Sequence, residues 1–147
     1  MNKVTLEQLL PVIEEMLAAG GEVTFTPNGN SMYPMLYHGI DTVTLKKPNG
    51  RLKKYDLPLY RRDDGKFILH RVIAVKKGGY ITRGDNVLCK EHGITDKMVV
   101  GVVTAFTKNG KTIPVTNKKY RLYCILRNND FTVALRKLKQ KIKGRSK

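Results

Sequence analysis

Tryptophan is absent from the 147 residues, and the aromatic residues together make up only 7% of them. Stacking platforms for single-stranded nucleic acid are built from such rings, so that class of function is disfavoured. Cysteine is almost as scarce. Cys89 and Cys124 are too few for a disulfide scaffold or, by themselves, a four-ligand zinc site. His38, His70 and His92 are scattered without metal-ligand spacing, and no glycine-rich phosphate loop occurs, so neither a metal nor a cofactor is expected. Nothing beside Cys89 argues for a thiol nucleophile. No apolar run approaches the roughly 20 residues of a bilayer span. The first residues, MNKVTLEQLLPVIEEML, mix acids with apolar residues, unlike a secretory signal peptide. The expected location is therefore cytoplasmic, or peripheral on the cytoplasmic membrane.

Acidic residues are the other shortage. Asp and Glu number 12 against 28 Lys and Arg, a formal charge of +16 and a pI near 10.0. Such a balance attracts polyanions, either nucleic acid or an anionic lipid surface, but as a field effect it names no site.

What is present divides the chain into three stretches of one expected domain, 1–147. Within 1–21, Leu6, Leu9, Leu10, Ile13, Met16 and Leu17 fall at helical spacing, Thr5 and Gln8 fit a capping box, and Gly20-Gly21 ends the run. Pro11 lies deep enough to predict a kink or a late start. Residues 22–116 read as short strands, EVTFT, DTVTL, LPLYR, KFILHRVIAV, YITR, VVGVVTAFT and TIPV, separated by turn signals such as Asp63-Asp64-Gly65 and Asn109-Gly110. Many short strands at close intervals predict folded antiparallel β-sheets, not alternating α/β units. Residues 117–147 return to helical spacing. From 131 to 147 they carry Arg136, Lys137, Lys139, Lys141, Lys143, Arg145 and Lys147 with no acid, beside Phe131, Val133, Leu135, Leu138 and Ile142. That composition fits a docked helix with a solvated basic end, or a helix lying on anionic lipid. Nucleic acid comes third, because no groove-reading motif is present.

Three stretches could carry chemistry. In Gly29-Asn30-Ser31-Met32-Tyr33-Pro34, a serine follows a strand and a glycine turn, and Pro34 blocks strand continuation. Such a turn can present a hydroxyl beside converging backbone N–H groups, which a nucleophile and its oxyanion hole require, although serine is also an ordinary turn residue. In Phe67-Ile68-Leu69-His70-Arg71-Val72-Ile73, alternation puts His70 on a face with Ile68 and Val72, and two apolar faces predict a central strand. A histidine there is either a satisfied core residue or a neutral base. Arg83-Gly84-Asp85-Asn86 composes a good turn, and it offers Asp85, with Glu91 in the following loop, as a carboxylate to orient His70.

Taken in order, these pieces, followed by Val99-Val100-Gly101-Val102-Val103, resemble the signal-peptidase-like serine peptidases, a group that includes the self-cleaving domains of SOS-type repressors. The resemblance spans about 23–105. It implies coiled antiparallel sheets, to which the periodicity above adds an N-terminal amphipathic helix and a basic C-terminal helix, and it implies a nucleophile at Ser31 and a general base at His70, as in the branch that uses His in place of Lys. It implies Asp85 as the third member with Glu91 as the alternative, an oxyanion hole formed by the backbone N–H groups of Ser31 and Asn30 because Gly29 replaces a serine donor, and substrate contact at Met32 and Pro34. The membrane-spanning anchor usual in enzymes that process exported proteins has no counterpart in this sequence.

The expected function is a serine endopeptidase that cleaves an extended leader or signal segment of a peptide or exported protein. Its partners would be that substrate and an anionic membrane surface reached through 131–147. The alternatives are a repressor-type self-cleaving regulatory domain, disfavoured by His70 and by the short stretch before the strands, and a silent basic module that binds lipid or nucleic acid.

Overall fold

The computed structural model describes residues 5–145. Helix α1 (Leu6–Ala18) begins at the Thr5–Gln8 capping box and runs unbroken through Pro11. The predicted late start does not occur. Pro11 lies on the exposed face, while Leu10, Ile13 and Leu17 are buried, so packing of the opposite stripe outweighs one missing backbone hydrogen bond.

Among the described residues nine strands follow: β1 (Val23–Phe25), β2 (Thr42–Lys46), β3 (Pro58–Arg61), β4 (Phe67–Leu69), β5 (Arg71–Lys76), β6 (Gly79–Arg83), β7 (Glu91–Ile94), β8 (Val99–Lys108) and β9 (Lys111–Pro114). All pairings are antiparallel. One sheet has the order β1-β2-β8-β3-β4, with β9 also on β8; the other has the order β5-β6-β7. The ten-residue β8 is the spine of the first sheet. β2 lies along one side of it, and β3 and β9 share the other. Register shifts at Thr44/Leu45 and Leu59/Tyr60 bend the strands around the core. Asn109 and Gly110, at φ 51° and 74°, close the tight β8–β9 hairpin that their sequence predicts.

The stretch expected as one central strand is broken at His70. β4 ends at Leu69 as an edge strand of the first sheet, and β5 begins at Arg71 as an edge strand of the second. The cause is that Leu69, His70, Arg71 and Val72 are all buried, which strict alternation on one flat sheet does not permit. A strand also forms where a loop was expected. Glu91 opens β7, with Glu91 opposite Thr82, and Gly93 and His92 hid it from propensity. The C-terminal stretch is two helices, α2 (Lys118–Asn128) and α3 (Asp130–Arg145), parted at Asn129; residues 146–147 lie outside the described chain.

The main core joins Ile13 and Leu17 of α1, Met32 and Met35 of the serine turn, Val103 and Phe106 of β8, and Tyr120 and Cys124 of α2. Through it runs a buried ion pair. Arg71 Nε and Nη2 donate to the two Asp85 carboxylate oxygens at 2.8 and 2.9 Å. Arg71 Nη1 also donates to the Tyr55 carbonyl, the Tyr120 hydroxyl and Cys124 Sγ, and Nη2 to Met35 Sδ. Arg71 and Asp85 are both completely buried. Arg71→Met should cost about 3–5 kcal/mol in urea unfolding, because it strands a buried carboxylate, whereas the double variant Arg71→Met/Asp85→Leu should lose less than the single one.

Candidate active site

Ser31 sits in the turn that follows β1, and this turn is held from four directions. Gly29, at φ +96°, takes the left-handed conformation that opens it, and its N–H donates to His38 Nδ1 at 2.6 Å. The Asn86 N–H donates to the Ser31 carbonyl at 2.8 Å, and Asn86 Nδ2 donates to the Asn30 carbonyl at 3.1 Å. From the end of β8, Lys108 Nζ donates to the Pro34 and Met35 carbonyls, both at 2.9 Å. Met35 reaches Arg71 as described above.

His70 occupies the crossing between the sheets and is 8% exposed. Its two ring nitrogens face different partners. Nδ1 lies 3.7 Å from Glu91 Oε2, an ion-pair distance longer than a hydrogen bond, and is buried without a hydrogen-bond partner. Nε2 is turned toward Gly84 and the Ser31 main chain. A methyl group added at Gly84 would stand 2.6 Å from the Ser31 carbonyl oxygen and 3.0 Å from His70 Nε2. Glycine is therefore required at 84 by close approach, not by its dihedral angles. Ser31 and His70 line the same cleft, of about 120 Å³, together with Met32, Leu36, Tyr37 and the β4 residues Phe67–Leu69. Among the described residues Ser31 Oγ makes no hydrogen bond, and the Asn30 and Ser31 N–H groups have no acceptor.

The two candidate acids have different surroundings. Both Asp85 carboxylate oxygens are engaged by Arg71, and Tyr123 donates to one of them at 2.9 Å. Its main-chain carbonyl accepts from Arg127 and Arg136. None of these bonds goes to His70. The preference for Asp85 as the orienting group thus meets a carboxylate already committed to the core, and the acid nearest the imidazole is Glu91. Glu91 is gripped by Tyr60 and by both Nε and Nη2 of Arg62. Burial pushes its pKa up, but the bonds from Arg62 and Tyr60 outweigh that and hold it below the ordinary carboxylate value. For His70, burial dominates and pulls the pKa below 6.5, against the attraction of Glu91. A neutral imidazole thus sits beside an ionised carboxylate.

Met32 lines the cleft as a buried residue. Pro34 lies outside the lining, and its carbonyl accepts from Lys108 Nζ. The cleft does have a second wall able to bind a chain. The Arg62 N–H donates to the Lys66 carbonyl, which makes 62/66 a hydrogen-bonded pair. By antiparallel alternation the main-chain groups of Phe67 and Leu69 then face away from β3, toward the uncovered edge of β4. Arg62, Tyr60, His38 and Lys108 carried no motif in the sequence, because each acts through a long-range contact.

Among the described residues no group of His, Cys, Asp and Glu could hold a metal ion, both cysteines are free, and no helix is long and apolar enough to cross a membrane. Compared with known proteins, the chain matches no family model and no curated protein.

Two measurements test this geometry. Gly84→Ala should destabilise the protein by about 1–3 kcal/mol in thermal unfolding, as expected for overpacking against main chain. In an NMR titration the His70 ring should protonate with a midpoint below 6.5. Glu91→Gln should lower that midpoint further, since it removes the carboxylate that favours the imidazolium.

Proposed function

We propose that this chain is a serine endopeptidase of the signal-peptidase-like kind, with Ser31 as nucleophile, His70 as general base and Glu91 as the group that orients and compensates His70. The observation that carries the reading is the division of labour at His70. One ring nitrogen is turned toward the Ser31 turn and the other toward an ionised carboxylate, in a cleft where burial keeps the ring neutral.

The chemistry follows from those positions. Ser31 Oγ attacks the scissile carbonyl as its proton passes to His70 Nε2. The imidazolium so formed is stabilised by Glu91 across Nδ1, the part an acid plays in a Ser-His-acid set. The oxyanion meets the free N–H groups of Asn30 and Ser31, two donors fixed by the Asn86 clamp on the same turn. Collapse returns the proton from Nε2 to the leaving amine. Water, deprotonated by the same nitrogen, then hydrolyses the acyl-enzyme and regenerates Ser31. An extended segment pairing with the open edge of β4 would present its carbonyl to Ser31, so the substrate class is an unfolded leader or signal segment, not a folded surface. Asp85 acts here as a positioning residue: it sets the strand that follows His70 and the loop that holds Ser31.

A fluorophosphonate probe should acylate Ser31 in the wild-type protein and leave Ser31→Ala and His70→Ala unlabelled, with both variants folded. Peptide cleavage should fall by roughly 10⁴-fold or more in each, because such residues act as a unit. Activity should be present above the His70 pKa and lost as pH falls through it, below 6.5. Glu91→Gln should lower kcat by about tenfold or more and move that acid limb to lower pH. Labelling of Ser31→Ala at the wild-type rate would overturn the nucleophile.

A further inference from the structure

The α2–α3 pair leaves an apolar face uncovered. Phe131, in the first turn of α3, is 73% exposed; Leu122 and Leu126 of α2 and Leu135 and Leu138 of α3 are each about half exposed. Leu122, Leu126 and Leu135 floor an open groove of about 570 Å³ whose rim carries Lys119, Arg127, Arg136 and Lys139. From Lys118 to Arg145 the only acid is Asp130, against ten lysines and arginines. Among the described residues no lysine of these helices is paired with a carboxylate.

We propose that this helix pair is a docking face for an anionic lipid surface, with Phe131, Leu135 and Leu138 entering the headgroup–acyl boundary and the flanking lysines meeting the lipid phosphates and carboxylates. The charge on the face requires a negative partner, and its apolar residues require one that also removes them from water. Nucleic acid supplies only the first, leaving the leucines and Phe131 hydrated. A second copy of this chain brings another +16. Protein interfaces are depleted in lysine, whereas leucine and phenylalanine beside a lysine-rich polar face are what an interfacial helix presents to a membrane. The face is larger than the stretch 131–147, since it includes α2. Arg136 is turned inward, with Nη1 on the Asp85 carbonyl. Through that bond and the one from Arg127, the helix pair is tied to the loop that holds the Ser31 turn, so docking would hold the cleft at a set distance from the lipid. The proposal does not depend on the peptidase reading.

The chain has no tryptophan, so Phe131→Trp supplies a single fluorescent reporter on an exposed position. Its emission should shift to the blue with phosphatidylcholine vesicles containing about a third phosphatidylserine, and stay unchanged with phosphatidylcholine alone. Full-length wild-type protein should float with the anionic vesicles at low salt and be released near ~0.5 M salt, where screening is short-ranged. Phe131→Ser/Leu138→Ser and Lys137→Gln/Lys139→Gln/Lys141→Gln should each weaken flotation at least tenfold while leaving the unfolding temperature unchanged; each lysine lost is worth about fivefold. Absence of flotation at low salt overturns the proposal. So does flotation that the Phe131→Ser/Leu138→Ser variant retains in full, which would mark a charge field without a docking face. Binding of an acidic protein with no binding to vesicles overturns it in favour of a protein interface.

Discussion

The Arg71–Asp85 pair is the constraint on which the rest of the structure depends. Two buried charges are tolerable only when each is met by the other and by further hydrogen bonds. Here the guanidinium also serves Tyr55, Tyr120, Cys124 and Met35, and the carboxylate also serves Tyr123. These partners come from the loop before β3, helix α2 and the serine turn, so a single pair draws three separate parts of the chain together. Arg71 immediately follows His70, and Asp85 lies between Gly84 and Asn86. Burying the pair therefore fixes His70 from one side and, through the Asn86 bonds to Asn30 and Ser31, fixes the serine turn from the other. Gly84 lets the two approach without a side chain between them.

The contrast between the two acids follows from the same arrangement. Asp85 is fully buried and fully subscribed, so its charge is cancelled inside the core. Glu91 stands nearer the surface at the start of β7, where Arg62 and Tyr60 keep it ionised and aim it at the imidazole. A carboxylate cannot serve equally as the counter-ion of a buried arginine and as the partner of a histidine that changes charge. In the mechanism proposed above, separating the two tasks gives His70 a counter-ion of its own, Glu91, while Asp85 stays paired with Arg71.

Much of this was legible in residue order. The capping box of α1, the strands around the turn signals and the helical return after Lys118 follow from periodicity and local chemistry that act within a few residues. Ser31 and His70 were legible as candidates for the same reason. The break at His70 was not, because alternation describes a strand in one sheet and the chain here changes sheets between Leu69 and Arg71. Strand β7 was hidden because Glu91-His92-Gly93-Ile94 has little intrinsic preference for a strand; its order comes from pairing with β6. The choice between Asp85 and Glu91 was equally out of reach, since it turns on Arg62, Tyr60 and Arg71, contacts that spacing along the chain does not encode.

The sheet change at His70 has a consequence beyond the placement of one side chain. Had β4 and β5 been one strand in one sheet, His70 would have been flanked by main-chain ladders on both sides. By leaving the first sheet at Leu69, the chain ends β4 as an uncovered edge, and the cleft between that edge and the serine turn has one wall of side chains and one wall of unpaired peptide groups. An exposed edge is ordinarily an aggregation liability, which proteins limit by keeping the strand short and charged at its flanks. β4 has three residues, with Lys66 immediately before it. It is long enough to pair with a few residues of an extended segment and too short to recruit a second sheet. For the peptidase proposed above, the same break that places a neutral histidine between two sheets would limit a substrate at Ser31 to a short, unfolded stretch of chain.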